Sequence, residues 1–284
     1  MPPRIVVVGP ASWNQLIVLD RLPEPVPHMQ FAQDAWHTIG GTSAGKALHL
    51  TGLGADVRLR APLAADAEGE RIRTALASAG VAVDVLHSER TEQHVNLMTQ
   101  AGGRVSLYVA TPTDPDLADV AQTARAIAGA EVAVVDLAAV GLQVIAHPDR
   151  GATPLWIDLH DYDGKSAFHE PFVRAADVVF LNADRTDDPW ALMRACLDRG
   201  PRLAVCTLGA EGAIALEADG TRHRVPAAPA RVVDTNGAGD AFMAGFLAAA
   251  LDGAAVPAAL EAAAAQAATA IATRHLHPAL DAIL

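Results

Sequence analysis

Five short apolar runs recur along this chain with helical patterns between them, and that alternation limits its fold more than any other feature. They read "RIVVVG" (4–9), "VAVVDL" (132–137), "PLWIDL" (154–159), "DVVFLN" (177–182) and "LAVCTLG" (203–209). Continuous apolar runs, rich in β-branched residues, suit strands buried on both faces of a parallel sheet. Segments such as "LADVAQTARAIAGA" and "PWALMRACLDRG" have helical periodicity and close on glycine or a small residue. Strand, helix, strand, helix predicts an α/β, doubly wound, mostly parallel sheet with helices on both faces. A chain of 284 residues, 51% of them hydrophobic, can bury such a core.

Two segments break the alternation. "DRLPEPVPHMQFAQDAW" is proline-rich with short extended pieces, and "HVNLMTQAGGRVSLYVA" is a hairpin pattern with its turn at "QAGG". Together they predict a small β-layer beside the main sheet; an ordinary surface hairpin is the plainer alternative. The alanine-rich C-terminal third predicts two closely packed helices broken at Gly253 and Pro257.

Charge narrows the partners. With 21 basic against 33 acidic residues the net is -12, which repels nucleic acid but not a small phosphorylated ligand, since backbone N–H groups bind phosphate whatever the net charge. Cys196 and Cys206 fit neither a C-x-x-C nor a zinc spacing. The N-terminal apolar run is too short for a signal-peptide core, and the stretch Ala241 to Leu251 stops far short of the roughly 20 residues of a membrane span. A reduced, soluble, cytoplasmic protein that uses no membrane is the expectation.

Two glycine-rich loops compete for a phosphate. "GGTSAGKA" (40–47) approaches the pattern G-x-x-x-x-G-K-[ST], but Ala47 lacks the metal-binding hydroxyl and the preceding "FAQDAWHT" is only weakly strand-like. "VVDTNGAGDAFMAGFLAAAL" (232–251) is better built: small residues at the start of a long apolar helix leave several N–H groups open to an anion. Asp240 in that loop has two readings, a helix cap or a general base that accepts the proton of an attacking alcohol.

"DTNGAGDAF" resembles the signature of the ribokinase-like (PfkB-type) carbohydrate kinases. "VVGPASWNQLIVLDRLPEP" is similar to that family's N-terminal strand and substrate loop, "IGGTSAGKALHLTGLGADVRL" to its di-glycine motif and following helix, and "CTLGAEGAIAL" to its nucleotide loop, in the family's order. The resemblance covers the whole chain, 1–284, as a single kinase domain with a β-lid from about 14–38 and 92–111. It implies that Asp240 is the catalytic base, with Gly237, Ala238 and Gly239 as the anion hole. Thr207, Gly209 and Gly212 would lie along ATP, Asn182 would begin the segment that reaches phosphate-bound Mg²⁺, and Gln266 would line the adenine. Asp234 and Thr235 would hold a monovalent cation such as K⁺. Asn14, Gly40, Gly41 and Gly45 would lie on the acceptor side, and the lid would pair two subunits.

The sequence departs from the family pattern at three places. Asn14 replaces an aspartate and can donate as well as accept. Gly45 replaces an asparagine, removing a hydrogen bond to the acceptor. Arg185 replaces the glutamate of N-x-x-E, so either the adjacent Asp184 organises the magnesium water shell or Arg185 contacts phosphate directly. "HLH" (275–277) lacks a third ligand at a metal spacing. His94 and Asn96 are placed to read a ligand, or else to form a solvated strand face. "DLHDYDGK" (158–165) is a polar strand-end loop where α/β sheets bind ligands.

The predicted activity is ATP-dependent transfer of the γ-phosphoryl group to a hydroxymethyl of a sugar or sugar-like molecule. A nucleoside kinase of the same fold is the nearest alternative, and a non-catalytic sugar or nucleotide sensor the alternative of another class. A dinucleotide oxidoreductase lacks G-x-G-x-x-G after the first strand, where "GPASWN" stands.

Overall fold

The architecture is taken from a computed structural model that describes residues 4–100 and 102–284. Ala101, inside the predicted "QAGG" turn, lies outside the described residues, as do the first three.

The strands are β1 (Arg4–Val8), β2 (Ser12–Leu19), β3 (Asp34–Gly40), β4 (Asp56–Leu63), β5 (Ala82–His87), β6 (Glu92–Thr99), β7 (Arg104–Ala110), β8 (Val132–Val135), β9 (Leu155–Asp158), β10 (Val178–Asn182), β11 (Leu203–Thr207), β12 (Ala213–Glu217) and β13 (Arg222–Val225). The helices are α1 (Thr42–Gly52), α2 (Ala67–Ser78), α3 (Leu117–Ala128), α4 (Ala139–Ile145), α5 (Glu170–Ala175), α6 (Pro189–Leu197), α7 (Ala238–Leu251) and α8 (Val256–Ala270).

All five apolar runs are strands of one nine-stranded sheet, ordered β13-β12-β11-β10-β9-β8-β1-β4-β5. Its pairings are parallel except at β11–β12 and β12–β13. One hydrophobic layer covers one face with residues of α1, α2, α7 and α8, and a second covers the other with residues of α3 to α6. The chain runs outward from β1 in both directions, through β4 and β5 on one side and β8 to β11 on the other. The switch point therefore lies between β1 and β8, and the crevice beyond their C-terminal ends is where such sheets bind ligands.

The extra β-layer is a separate four-stranded sheet, β3-β2-β6-β7. Two sequence expectations change here. "FAQDAWHT" is weakly strand-like by composition, yet 34–40 pairs with β2 along its whole length, from Asp34↔Val18 to Gly40↔Ser12. The substrate loop predicted around Asn14 is itself a strand, β2, bonded to both β3 and β6. Propensity fails at both because one face of this sheet is polar, and tertiary pairing decides the outcome. The proline-rich stretch 20–33 between β2 and β3 has no regular structure.

α7 joins the core to the site. Its Phe246 packs on Trp156 of β9 and Phe180 of β10, with ring centroids 5.9 and 5.6 Å away. Phe246→Ala should leave a cavity there and lower stability by about 3 to 5 kcal/mol, measured by urea unfolding.

Candidate active site

α7 begins without a cap. Gly237 occupies the N-cap position at φ 77°, and no side chain bonds the first turn. That left-handed backbone suits glycine, and a Cβ there would come within 2.9 Å of Leu276. Ala238 N–H makes a long bond of 3.4 Å to Thr235 O, and Ala241 N–H is the first to close a helical turn, on Gly237 O at 2.9 Å. The N–H groups of Gly239 and Asp240 then have no intrahelical acceptor, by helix geometry. The space beside Gly239 is open. Open N–H groups and the positive end of the helix dipole together make an anion site.

Asp240 sits in the first turn, 7% exposed, and its side chain does not cap the helix. Its Oδ1 accepts from Lys46 Nζ at 2.7 Å, while Oδ2 accepts no hydrogen bond among the described residues. Lys46 comes from "GGTSAGKA", the loop that resembled a phosphate binder. Instead of lying free for phosphate, its ammonium reaches Asp136 Oδ1 at 2.9 Å and Asp158 Oδ2 at 3.2 Å as well. Asp136 also accepts from Ser43 Oγ at 2.5 Å and Thr42 Oγ1 at 3.0 Å.

Neither Asp136 nor the pairing of Asp158 with Lys46 was foreseen from sequence. The available signal was one carboxylate at the same place in two successive runs, "VAVVDL" and "PLWIDL", at the ends of adjacent strands. Asp136, Asp158 and His160 also bring ligand atoms within 4.8 Å of one another, but the lysine ammonium already lies between the two carboxylates.

Burial pushes the Asp240 carboxyl up to about 6; Lys46 pulls it down, and the like charges of Asp136 and Asp158 push it further up. Burial would raise Asp158 too, but His160 and Lys46 outweigh it and hold that carboxyl at about 2. Lys46 is buried, which disfavours its charge, yet the three carboxylates keep it well above its ordinary value.

Glycines shape the approaches differently from expectation. The space a Gly40 side chain would need is filled by the Asn14 amide, 2.0 Å from an ideal Cβ, and that of Gly41 by Pro10 O at 2.4 Å. These two glycines accommodate the β2 strand and its entry, so their small size makes room for protein. Gly45 faces Asp240: a Cβ there would lie 2.8 Å from Oδ2. A side chain at this position would crowd the carboxylate, so glycine at 45 leaves the room that Asp240 occupies.

Asn14, His94 and Asn96 share one face of the four-stranded sheet, since Asn14 pairs with His94 and Asn96 lies two residues further along β6. Asn14 Oδ1 accepts from Ser12 Oγ at 2.8 Å. His94 packs against Tyr108 with ring centroids 3.9 Å apart and the planes tilted by 50°. Its Nε2 lies 2.9 Å from Glu92 Oε1, but the geometry makes no hydrogen bond. On the same face Met98 Sδ accepts from the Asn236 amide at 3.5 Å, and Arg104 donates to Asn236 Oδ1. The lid thus touches the loop before α7.

Asn182 and Thr207 lie side by side at the C-terminal ends of β10 and β11. Gly209 contributes to a cavity of about 390 Å³ with Asp184, Trp190 and Arg224, and Gly212 backs onto Val225 and Pro226. Asp184 N–H donates to Asn182 Oδ1, and the exposed Arg185 turns to Asp161 at 3.5 Å.

Asp234 and Gln266 both bond to protein. The Asp234 carboxylate accepts from the Asn236 backbone and side chain at 3.0 and 2.8 Å, so it clamps the loop on which a cation was expected to sit, and Thr235 beside it is exposed. Gln266 donates to His49 Nδ1 at 2.7 Å across α8 and α1, so its amide nitrogen supports a buried histidine. His49 bonds Leu276 O through Nε2, and burial beside His277 lowers it to about 4. "HLH" is likewise structural: His275 pairs with Thr38, and His277 accepts from Ala279 N–H.

An uncapped glycine helix start holds a buried carboxylate in its first turn, and the four-stranded sheet contacts the loop that leads into it. The chain belongs to the pfkB family of carbohydrate kinases, whose model matches residues 3–282. It is 32% identical over 249 residues to an acarbose 7(IV)-phosphotransferase of Actinoplanes sp., covering 86% of this chain and 83% of that one. To a nucleoside kinase of Methanothermobacter thermautotrophicus it is 27% identical, covering 88% and 83%. Among solved structures, a microbiome-derived acarbose kinase superposes with a TM-score of 0.84 at 28% identity, over 96% of this chain and 94% of that one. Ribokinase of Arabidopsis thaliana, complexed with ribose and ATP, gives 0.78 at 23% identity over 96% and 94%. This pfkB protein therefore has the ribokinase-like fold, and no helix of its described residues is long and apolar enough to cross a membrane.

Gly45→Ala should displace the Asp240 carboxylate. A fall in kcat of about 10-fold or more with unchanged ATP binding, measured by coupled ADP release and calorimetry, is the expected result.

Proposed function

We propose that this kinase transfers the γ-phosphoryl group of ATP to a hydroxymethyl group of a sugar-type acceptor held between the four-stranded sheet and the start of α7. The observation that carries the reading is Asp240, a buried carboxylate with one oxygen anchored and the other unpaired, in the first turn of an uncapped helix. Asp240 Oδ2 takes the proton of the acceptor hydroxyl. The oxygen–γ-phosphorus bond forms as the bridging β–γ phosphorus–oxygen bond breaks, and ADP leaves with that electron pair. The open N–H groups at 239 and 240 hold the charge of the moving phosphoryl group. Transfer to water is suppressed when the lid strands cover the site, and the Met98 and Arg104 contacts to Asn236 supply that cover.

Magnesium would be held chiefly by the substrate phosphates, with the exposed Asp184, next to Asn182, as a nearby carboxylate. It would supply charge neutralisation on the phosphate oxygens. Potassium is compatible with the 234–235 loop only through backbone oxygens or a rearranged Asp234, because that carboxylate already serves Asn236.

Asn14, His94 and Asn96 offer amide and imidazole groups to hydroxyls, which supports a polyhydroxylated acceptor. Similarity to acarbose kinases favours a sugar over a nucleoside, so acarbose, ribose and inosine form the first panel. Asp240→Asn should abolish ADP release with the acceptor that turns over, by about 10²- to 10⁴-fold, and leave ATP binding intact. Full activity would remove the assigned base. Binding of one acceptor without ADP release in the unsubstituted protein would favour a sensor.

The outer face of the lid supports a homodimer. Ile17, Leu97 and Val105 align across three strands, with Val95 and Leu107 in the neighbouring row. Val105 and Leu107 are 39% and 49% exposed. Apolar rows of this kind mark association surfaces. Leu107→Glu should convert a dimer to a monomer in light scattering.

A further inference from the structure

We infer that Lys46 is a positioning residue for the reaction: by holding Asp240 Oδ1 it fixes the carboxylate's orientation and keeps it ionised, so that Oδ2 is presented to the acceptor hydroxyl. The inference rests on the assignment of Asp240 as base and adds a residue that acts through it.

Four observations carry it. Lys46 is 1% exposed, and its ammonium donates to Asp240 and Asp136 at 2.7 and 2.9 Å and lies 3.2 Å from Asp158 as an ion pair. All three of its close partners are carboxylates. Each carboxylate comes from a different element: Asp136 follows β8, Asp158 ends β9 and Asp240 lies in α7, so the lysine on α1 sets where the base stands relative to the sheet edge. Gly45, the residue before it, leaves the room that the Asp240 carboxylate occupies. Finally, this chain carries 21 basic residues and only two are lysine, Lys46 and Lys165. A chain that uses arginine almost everywhere keeps, at this buried point, the compact ammonium whose tetrahedral donors fit three separate oxygens; a planar guanidinium does not.

The charged groups facing Asp240 act in opposite senses. Lys46 favours its carboxylate form, while Asp136 and Asp158 oppose it. Removing the lysine must therefore raise the pH at which Asp240 loses its proton, and removing one neighbouring carboxylate must lower it. A residue that merely stabilised the fold would give no such pair of opposite movements.

The test compares the unsubstituted protein with Lys46→Met, Asp158→Asn and Asp240→Asn. Aspartate ¹³Cγ signals are followed by NMR from pH 4 to pH 9, with the Asp240 signal assigned by its loss in Asp240→Asn. In parallel, the pH profile of kcat/KM is measured with acarbose, or with ribose or inosine if that is the acceptor that turns over. Lys46→Met should move the Asp240 midpoint and the acid limb upward by about 1 to 3 units, with kcat at neutral pH reduced about 10-fold or more and KM for ATP unchanged. Asp158→Asn, which keeps an acceptor oxygen for Lys46, should move both downward. The downward shift stands as a test by itself if Lys46→Met does not fold. An inactive Asp240→Asn together with coincident profiles for the other three proteins, or an upward shift in Asp158→Asn, would overturn the role of Lys46 and leave the base in place. Activity retained in Asp240→Asn would instead overturn the base.

Discussion

One ammonium held between three carboxylates organises this molecule. Burying Lys46 without partners would cost several kcal/mol, and so would burying Asp136 or Asp240 alone, so each group is tolerable inside only because the others are there. The consequence is positional. Lys46 can satisfy all three only if α1, the ends of β8 and β9, and the start of α7 meet at one point, which is the switch point of the sheet. Packing follows from that meeting: Gly9 and Gly45 stand where a Cβ would strike the cluster, 2.9 Å from the Asp136 Cβ and 2.8 Å from an Asp240 oxygen. Ser43 and Thr42 turn their hydroxyls onto Asp136, so the first turn of α1 spends its polar groups on the same cluster.

The central strands were legible because they are buried on both faces, and nothing but apolar, mostly β-branched residues serves there. Where one face is polar, legibility fell away. β3 alternates burial and exposure around Trp36 and His37, so its composition looks like a loop's, and only its pairing to β2 makes it a strand. The site divides the same way. The place of Asp240 at a helix start could be read because its neighbours are glycine and alanine, a local arrangement that leaves N–H groups open. Asp136 and Asp158 could not, because each sits at the end of an apolar run and their shared partner lies some 90 or more residues earlier in the chain. Lys46 was visible but suggested phosphate, since a short pattern says nothing about what the side chain finds once the chain has folded.

Asp234 and Gln266 show the same limit from the other direction. Each stands where a resemblance assigns a ligand, and each also bonds protein, the Asp234 carboxylate with Asn236 and the Gln266 amide nitrogen with His49. Both contacts steady the phosphoryl site at one remove. Asp234 shapes the turn leading to Gly237, and His49, held by Gln266, anchors Leu276, against which Gly237 packs. A motif fixes residue types at positions; whether those types meet a ligand or a neighbouring loop depends on contacts made from distant parts of the chain.

Charge in the site follows from the same cluster. With all groups ionised, three carboxylates against one lysine leave a net of two negative charges behind Asp240, next to a helix start that must receive a phosphoryl group. That field opposes the incoming anion, while burial, with Asp136 and Asp158 adding to it against Lys46, raises the basicity of Asp240 to about 6. On the proposed assignment of Asp240 as base, taking the acceptor's proton would lower the net to one negative charge as the phosphoryl group advances toward the new oxygen. Proton transfer would thus remove part of the repulsion that phosphoryl transfer otherwise meets. The two steps assist each other because a buried group, screened little by water, feels each change of charge strongly.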